Sequence, residues 1–122
     1  MKIDKVEALK VDIPLDKSFG GGTYKVEKRS AIITKIFIDD GLVSEVFAGD
    51  DRYRGNLILK CINEHMGPEI VGMNPLEIEK IWNLLFNNHI KNVASENREI
   101  LRGTLMRAIA CIDFALWDIL GK

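Results

Sequence analysis

The 122-residue sequence has little of several features that would assign a class of function at once. Its 17 lysines and arginines are balanced by 18 aspartates and glutamates, so the basic stripe that tracks nucleic-acid phosphates is missing. No apolar run approaches the roughly 18 residues that a transmembrane helix needs. The first ten residues alternate charged with apolar side chains, unlike a signal peptide. These absences argue against a nucleic-acid partner and against a membrane partner.

Cysteine and histidine are also scarce, with two of each. Cys61 and Cys111 do not make a disulfide framework, and each falls on the apolar face of a predicted helix. We therefore expect free thiols and a cytoplasmic protein. His65 and His89 are predicted at helix ends, where a histidine caps carbonyls or meets the helix dipole. Neither has a second ligand near it in sequence, so no metal site is expected among these residues.

Signatures of catalysis are missing as well. The glycine run at residues 20–22 lacks the spacing and the Gly-Lys-Ser/Thr ending of a P-loop, and no serine lies in a nucleophile elbow. Asp113 and Asp118 are five residues apart, about 140° around a helix, so they do not share a face. We expect each to accept hydrogen bonds or to meet Arg102 or Arg107, because a buried unpaired carboxylate is costly.

What the chain does have is a clear change of hydrophobic period. Residues 9–15 alternate apolar with polar side chains as a half-buried strand does. Val6 and Ala8 fall in the opposite phase, which a bulge near residue 8 would explain. Residues 30–38 and 42–48 are two further apolar runs, joined through Asp40-Gly41, a strong hairpin signal. We expect an antiparallel sheet of three strands. The apolar residues predicted to face the core from the first strand are Leu9, Val11, Ile13 and Leu15.

Helical spacing follows the strands. The first predicted helix ends at Gly67-Pro68, a C-cap glycine followed by a residue that does not continue a helix. A second opens at Asn74-Pro75, with Glu77 completing a capping box. The third begins near Arg98. Three strands followed by three helices predict one α+β domain over residues 1–122. The apolar stripe of the second helix consists of Ile78, Ile81, Trp82, Leu85 and Phe86.

The closing helix is apolar almost all the way round between residues 108 and 120. A sheet and two helices cover one side, and the other side in water would be a larger apolar patch than soluble monomers usually carry. We therefore expect another chain or a further domain to cover it. Each large apolar side chain would contribute about 1.5–3 kcal/mol if fully buried. These residues are Ile109, Cys111, Ile112, Phe114, Leu116, Trp117, Ile119 and Leu120.

The segment AIACIDFALWDILGK, residues 108–122, resembles a motif of the mandelate racemase and muconate lactonizing enzymes in the enolase superfamily, A-x-x-x-(I/L)-D-x-A-L-W-D-x-x-G-K. The order of three strands and then helices, with Asp39-Asp40-Gly41 between the second and third strands, is similar to the N-terminal domain of that family. The resemblance thus covers essentially the whole chain. The matching motif residues are Asp113, Ala115, Leu116, Trp117, Asp118, Gly121 and Lys122.

This resemblance implies an enolase-type N-terminal capping domain, with residues 108–122 leading into a (β/α)-barrel domain that is absent from this chain. In that family Mg²⁺ binds the substrate carboxylate, and a lysine or histidine base in the barrel removes the α-proton. The outcome is racemisation, epimerisation, cycloisomerisation or dehydration. Metal ligands and bases lie in the barrel, so no catalytic residue and no metal ligand is expected in this chain. Family members are often homo-oligomers.

The resemblance also implies two loops that close over a small carboxylate substrate, exclude water and set specificity. They fall within residues 17–28 and residues 47–55, and a flexible surface loop and a solvated turn are the alternatives. Ser44-Glu45-Val46-Phe47 stands where many relatives carry G-x-G-E in the third strand, which leaves the subgroup open. The polar second loop favours sugar-acid dehydration or acid racemisation. The candidate substrate-binding residues are Phe19, Gly21, Tyr24, Asp50, Asp51 and Tyr53.

A rival hypothesis stays open: a standalone α+β module that self-associates or binds a partner through its closing helix. It explains the apolar helix equally well, but it does not explain the match to the family motif through Gly121-Lys122. A discrete, stable dimer would favour the module, whereas heterogeneous aggregation is typical of a capping domain without its partner.

Overall fold

A computed structural model describes residues 1–19, 26–48, 55–90 and 98–122. The strands β1 (Ile3–Phe19), β2 (Val26–Ile38) and β3 (Val43–Ala48) form one antiparallel sheet in the order β1-β2-β3. The hairpin expected at Asp40-Gly41 joins β2 to β3. Gly41 adopts a φ of +93°, and the Asp40 carboxylate accepts a hydrogen bond from the backbone N–H of Leu42. The three-stranded meander is confirmed.

The phase of β1 differs from the sequence prediction. Ile3 pairs with Ile38 and Lys5 pairs with Phe37, so the irregularity lies at residue 4, and pairing then runs without a break past residue 8. The predicted bulge near residue 8 is therefore wrong. Because one extra residue at position 4 reverses the alternation, Val6 and Ala8 face the core. Leu9 and Val11 alternate with these residues along β1 and are exposed on the outer face of the sheet.

The first helix does not stop at Gly67-Pro68. Three segments follow one another directly: α1 (Gly55–Lys60), a π-helical stretch (Cys61–Met66) and α2 (Gly67–Ile70). Gly67 has a right-handed helical backbone conformation, with a φ of −56°. Pro68 is the second residue of α2, directly after the π-helical stretch. The stretch ends instead at Val71, and Gly72 follows with a φ of +90°.

Gly67 has a packing role in place of the predicted capping role. A Cβ atom at this position would lie 2.7 Å from the Ile62 carbonyl oxygen and 3.1 Å from the Val6 Cβ. The Gly67 N–H also donates to that Ile62 oxygen, one residue farther back than in an α-helix. Glycine therefore allows the π-helical segment to approach β1 closely.

The capping box predicted at Asn74 is also wrong. Asn74 Oδ1 accepts a hydrogen bond from the Leu76 N–H at 3.0 Å, and the Asn74 carbonyl accepts one from the Glu77 N–H at 3.1 Å. These bonds close a turn with Pro75 at its second position, which proline favours. The helix α3 (Ile78–Leu85) begins only after this turn, and a π-helical segment (Phe86–Ile90) extends it.

The last helix, α4 (Arg98–Leu120), begins where the sequence predicts. It packs across the inner face of the sheet, and its buried residues share one core with strand residues such as Ile32 and Ile36. Cys111 is buried in this core, Cys61 is half-buried, and both are free thiols whose pKa values burial raises. Within the described ranges, no helix combines the length and apolarity that crossing a membrane requires.

Candidate functional site

One side of α4 is left uncovered by the rest of the chain. Phe114, Trp117 and Leu120 are 51%, 56% and 50% exposed, although the residues between them are mostly buried. They are spaced three residues apart and lie along one side of the helix. This α4 stripe is the uncovered face that the sequence analysis expected. It runs through the ALWD motif, so the motif contributes both to the core and to the exposed surface.

A groove of about 630 Å³ opens beside the α4 stripe, between α3 and α4. Trp82 and Trp117 contribute to its walls, and they are the two tryptophans of the sequence. Leu76, which lies in the turn before α3, adds an exposed apolar side chain. We call this cleft the α3/α4 groove. Because Trp117 belongs to both, the groove and the α4 stripe form one continuous surface, concave in the groove and flat along the stripe.

The α3/α4 groove also carries negative charge. Asp113 from α4 and Glu79 from α3 are in its lining, and no lysine or arginine is among the described residues that line it. Desolvation raises the pKa of the Asp113 carboxyl group above its ordinary value, and a hydrogen bond with the Trp117 side chain opposes this rise in part. The groove therefore presents a partly desolvated carboxylate next to aromatic rings.

An aromatic stack extends from this groove along α3. The Trp82 and Phe86 rings lie 5.0 Å apart between centroids and are nearly parallel, at 12°. The Arg102 guanidinium lies 5.8 Å from the Phe86 centroid. Arg102, a predicted partner for the α4 aspartates, lies over this ring. One end of the stack thus already holds a cation.

The second aspartate of α4 anchors the helix to the sheet. The buried Ser44 hydroxyl on β3 lies 2.8 Å from Asp118 Oδ2 and 2.8 Å from the Ala115 carbonyl oxygen. Lys122 Nζ lies 3.8 Å from the same carboxylate. Sequence reasoning treated Ser44 only as a departure from G-x-G-E. The contact joins residues more than 70 positions apart, and no local pattern signals it.

Of the six predicted substrate-binding residues, only Phe19 is among the described residues, as the last residue of β1. The others, Gly21, Tyr24, Asp50, Asp51 and Tyr53, lie outside the described ranges, so their role stays a prediction. The sheet does fix where the two segments begin. Residues 20–25 connect β1 to β2, and residues 49–54 follow β3. β1 and β3 run in the same direction in the antiparallel meander, so both segments follow strand ends that point the same way. The two ends are offset along β2, because Ala48 pairs with Ile32 whereas Phe19 pairs with Val26.

The histidine at the end of the second helix has a partner that sequence reasoning missed. His89 Nε2 lies 2.7 Å from Glu69 Oε2 on α2, so it bonds a carboxylate in place of the expected helix carbonyls.

In the described part of the chain, no group of three or more His, Cys, Asp or Glu side chains is arranged to hold a metal ion. The described residues therefore do not fit a Mg²⁺ site.

Comparison with known proteins places this geometry in a family. Residues 5–122 match the family described as mandelate racemase / muconate lactonizing enzyme, N-terminal domain. D-galactarolactone cycloisomerase of Agrobacterium fabrum is 29% identical over 122 residues, which is 100% of this chain and 29% of the relative. D-mannonate dehydratase of Novosphingobium aromaticivorans is 33% identical over 97 residues, covering 77% of this chain and 21% of the relative.

The fold is matched by solved structures as well. The dipeptide epimerase of Enterococcus faecalis, solved in complex with Mg and the dipeptide L-Leu-L-Tyr, superposes with a TM-score of 0.74 and 28% identity. The superposition covers 99% of this chain and 31% of that one. The chain thus spans less than a third of the length of each of these relatives.

Proposed function

The chain belongs to the mandelate racemase / muconate lactonizing enzyme family, whose N-terminal domain it matches, and on that premise we propose that it is the capping and specificity domain of a carboxylate-transforming enzyme. The whole enzyme would remove the α-proton of a carboxylate substrate and act as a racemase, epimerase, cycloisomerase or acid-sugar dehydratase. The relatives named for D-galactarolactone and D-mannonate favour a sugar-acid substrate.

The observation that carries this proposal is the α4 stripe. Fully burying one large apolar side chain contributes about 1.5–3 kcal/mol. The three stripe residues are each about half exposed, so covering them would add about 2–4 kcal/mol. A further domain packed on this face would supply that cover. In the proposal this is the (β/α)-barrel domain of the enzyme.

The proposed division of labour follows from what the described residues offer. They provide no ligand cluster for Mg²⁺, so the ion that the proposed reaction requires would be held by the barrel domain, together with the base. The capping domain would supply the substrate enclosure. No catalytic step is assigned to a residue of this chain.

The two segments that follow β1 and β3 would form that enclosure. β1 and β3 run in the same direction, so residues 20–25 and 49–54 follow strand ends that point the same way, and in the proposal both reach one substrate. Phe19 and Tyr24 would provide apolar cover that excludes water, and Asp50, Asp51 and Tyr53 would contact the polar groups of the substrate.

We propose that the enzyme is cytoplasmic, because free thiols such as Cys61 and Cys111 persist in that compartment.

The test uses the protein encoded by the continuous reading frame that contains this chain. A panel of sugar acids is incubated in D₂O with Mg²⁺, and exchange of the α-proton is followed by NMR. We expect exchange or product formation with at least one acid, loss of it with EDTA, and a changed substrate preference for Tyr53→Phe measured as kcat/KM. Activity that survives EDTA would overturn the proposed chemistry. A Tyr53→Phe enzyme with unchanged preference would overturn the role of Tyr53 in specificity.

The α4 stripe supports one alternative, a standalone module that self-associates through this helix. Sedimentation of the 122-residue chain separates the two functions. A discrete dimer that dissociates when Trp117 is replaced by glutamine would support the module, and concentration-dependent aggregates without a defined stoichiometry would support the capping domain.

A further inference from the structure

We propose that the α3/α4 groove is the receptor for an arginine side chain of the domain that covers α4. The inference rests on the proposed function, because it names the chemistry of the partner at that face. It adds a specific contact to a surface that would otherwise be defined only by apolar burial. The walls of the groove, its negative charge and the position of Arg102 over the Phe86 ring support it.

The walls suit a long side chain with a flat end. Trp82 and Trp117 line the groove, and Leu76 gives an apolar surface at its edge. Aliphatic stems bury well along such surfaces while the charged group reaches a polar partner. A guanidinium stacks on an indole face, whereas an ammonium group is more strongly hydrated. These walls favour arginine over lysine.

The negative charge of the groove favours a positively charged partner. Asp113 and Glu79 bring two carboxylates into the lining, and no basic residue is among the described residues there. The Asp113 carboxylate is partly desolvated and has the Trp117 side chain as a hydrogen-bond partner. A bidentate guanidinium–carboxylate pair is the strongest complement that a side chain offers to such a site. The position of Asp113 inside the groove, one helical turn from Trp117, makes it the expected anchor.

The chain already contains the same chemistry at the other end of the aromatic stack. The Arg102 guanidinium lies over the Phe86 ring, and Phe86 stacks on Trp82. Trp82 in turn lines the groove. An arginine entering the groove would therefore extend an existing series of cation and aromatic contacts.

The experiment is a fluorescence titration of the 122-residue chain at a low protein concentration at which sedimentation shows a monomer. Because both of its tryptophans line the groove, intrinsic emission reports on the groove directly. The probes are Nα-acetyl-arginine amide and Nα-acetyl-citrulline amide, which have nearly the same shape and differ in charge. We expect the arginine probe to produce the half-maximal change at a concentration about three- to tenfold lower than the citrulline probe, the range of a partly exposed ion pair.

Two variants with the same change in net charge test the anchor. Asp113→Asn keeps an oxygen that accepts a hydrogen bond, and it should reduce the preference for arginine to less than about twofold. Glu45→Gln removes an exposed carboxylate of β3 that is not among the residues lining the groove, and it should leave the preference unchanged. Circular dichroism spectra verify that both variants are folded.

Three results would overturn the inference: equal response to both probes, a preference that survives in Asp113→Asn, or stronger binding of Nα-acetyl-lysine amide than of the arginine probe. The titration contains no barrel domain and no substrate. Its failure would therefore leave the proposed function standing, and failure of the α-proton assay would leave the arginine site standing.

Discussion

Two neighbouring residues of α4 should respond to truncation in the reverse order of their size. Ile112 is 1% exposed and Phe114 is 51% exposed. Truncating a buried isoleucine to alanine costs about 2–5 kcal/mol, and a fully buried phenylalanine costs about 3–5 kcal/mol. Phe114 has only half of its surface covered, and its removal leaves an open depression without an enclosed cavity. We therefore expect Phe114→Ala to cost about 1 kcal/mol in the 122-residue chain, well below Ile112→Ala.

The assay is urea unfolding followed by circular dichroism at low protein concentration, with the m-value compared between variants. In the proposed full-length enzyme, the cost of Phe114→Ala should rise by about 1 kcal/mol or more, because the barrel domain would then cover the ring. The reasoning would be refuted if Phe114→Ala cost as much as Ile112→Ala in the short chain at every concentration. It would also be refuted if the cost were the same in the short and the long proteins.

Three further predictions concern the described structure. Gly67→Ala should destabilise the chain by about 1–3 kcal/mol in thermal unfolding, because the new Cβ meets the Ile62 oxygen at 2.7 Å. The control Gly121→Ala, whose Cβ would meet nothing closer than 3.7 Å, should change stability little. Ser44→Ala should cost about 1–2 kcal/mol in urea unfolding, since the hydroxyl that joins β3 to α4 is lost; an unchanged midpoint would contradict this role. Asp113→Asn should be neutral or slightly stabilising at pH 7 and lose that advantage below about pH 4. Burial raises the folded-state pKa of Asp113, so the contribution of Asp113 to stability increases as the pH falls from the folded-state pKa to the unfolded-state pKa. An Asp113→Asn chain that is less stable than the parent at pH 7 would contradict the raised pKa.

The sequence predicted those parts of the fold that local chemistry decides. The Asp40-Gly41 hairpin needs a positive φ that glycine supplies, and the start of α4 at Arg98 follows from the return of helical spacing. The uncovered side of α4 could also be predicted, because an all-round apolar helix exceeds what three strands and two helices cover. The family followed from the motif at residues 108–122.

The remaining features depend on tertiary contacts that a local pattern does not contain. The phase of β1 was predicted from the alternation at Leu9 and Val11, but the register with β2 places these residues outside. Gly67-Pro68 has the sequence of a helix stop, and close packing against Val6 uses the same glycine in another way. At the candidate site, the sequence predicts only that Asp113 accepts hydrogen bonds or meets an arginine, and its place in a groove with Trp82 depends on the packing of α3 on α4.

The most direct test of the central claim is to read the coding sequence downstream of the codon for Lys122. The capping-domain account predicts that the frame continues for roughly the 250 residues of a (β/α)-barrel, with spaced acidic residues able to bind Mg²⁺. A natural stop codon directly after Lys122 would contradict it, and the α4 stripe would then have to be explained as the surface of a self-associating module.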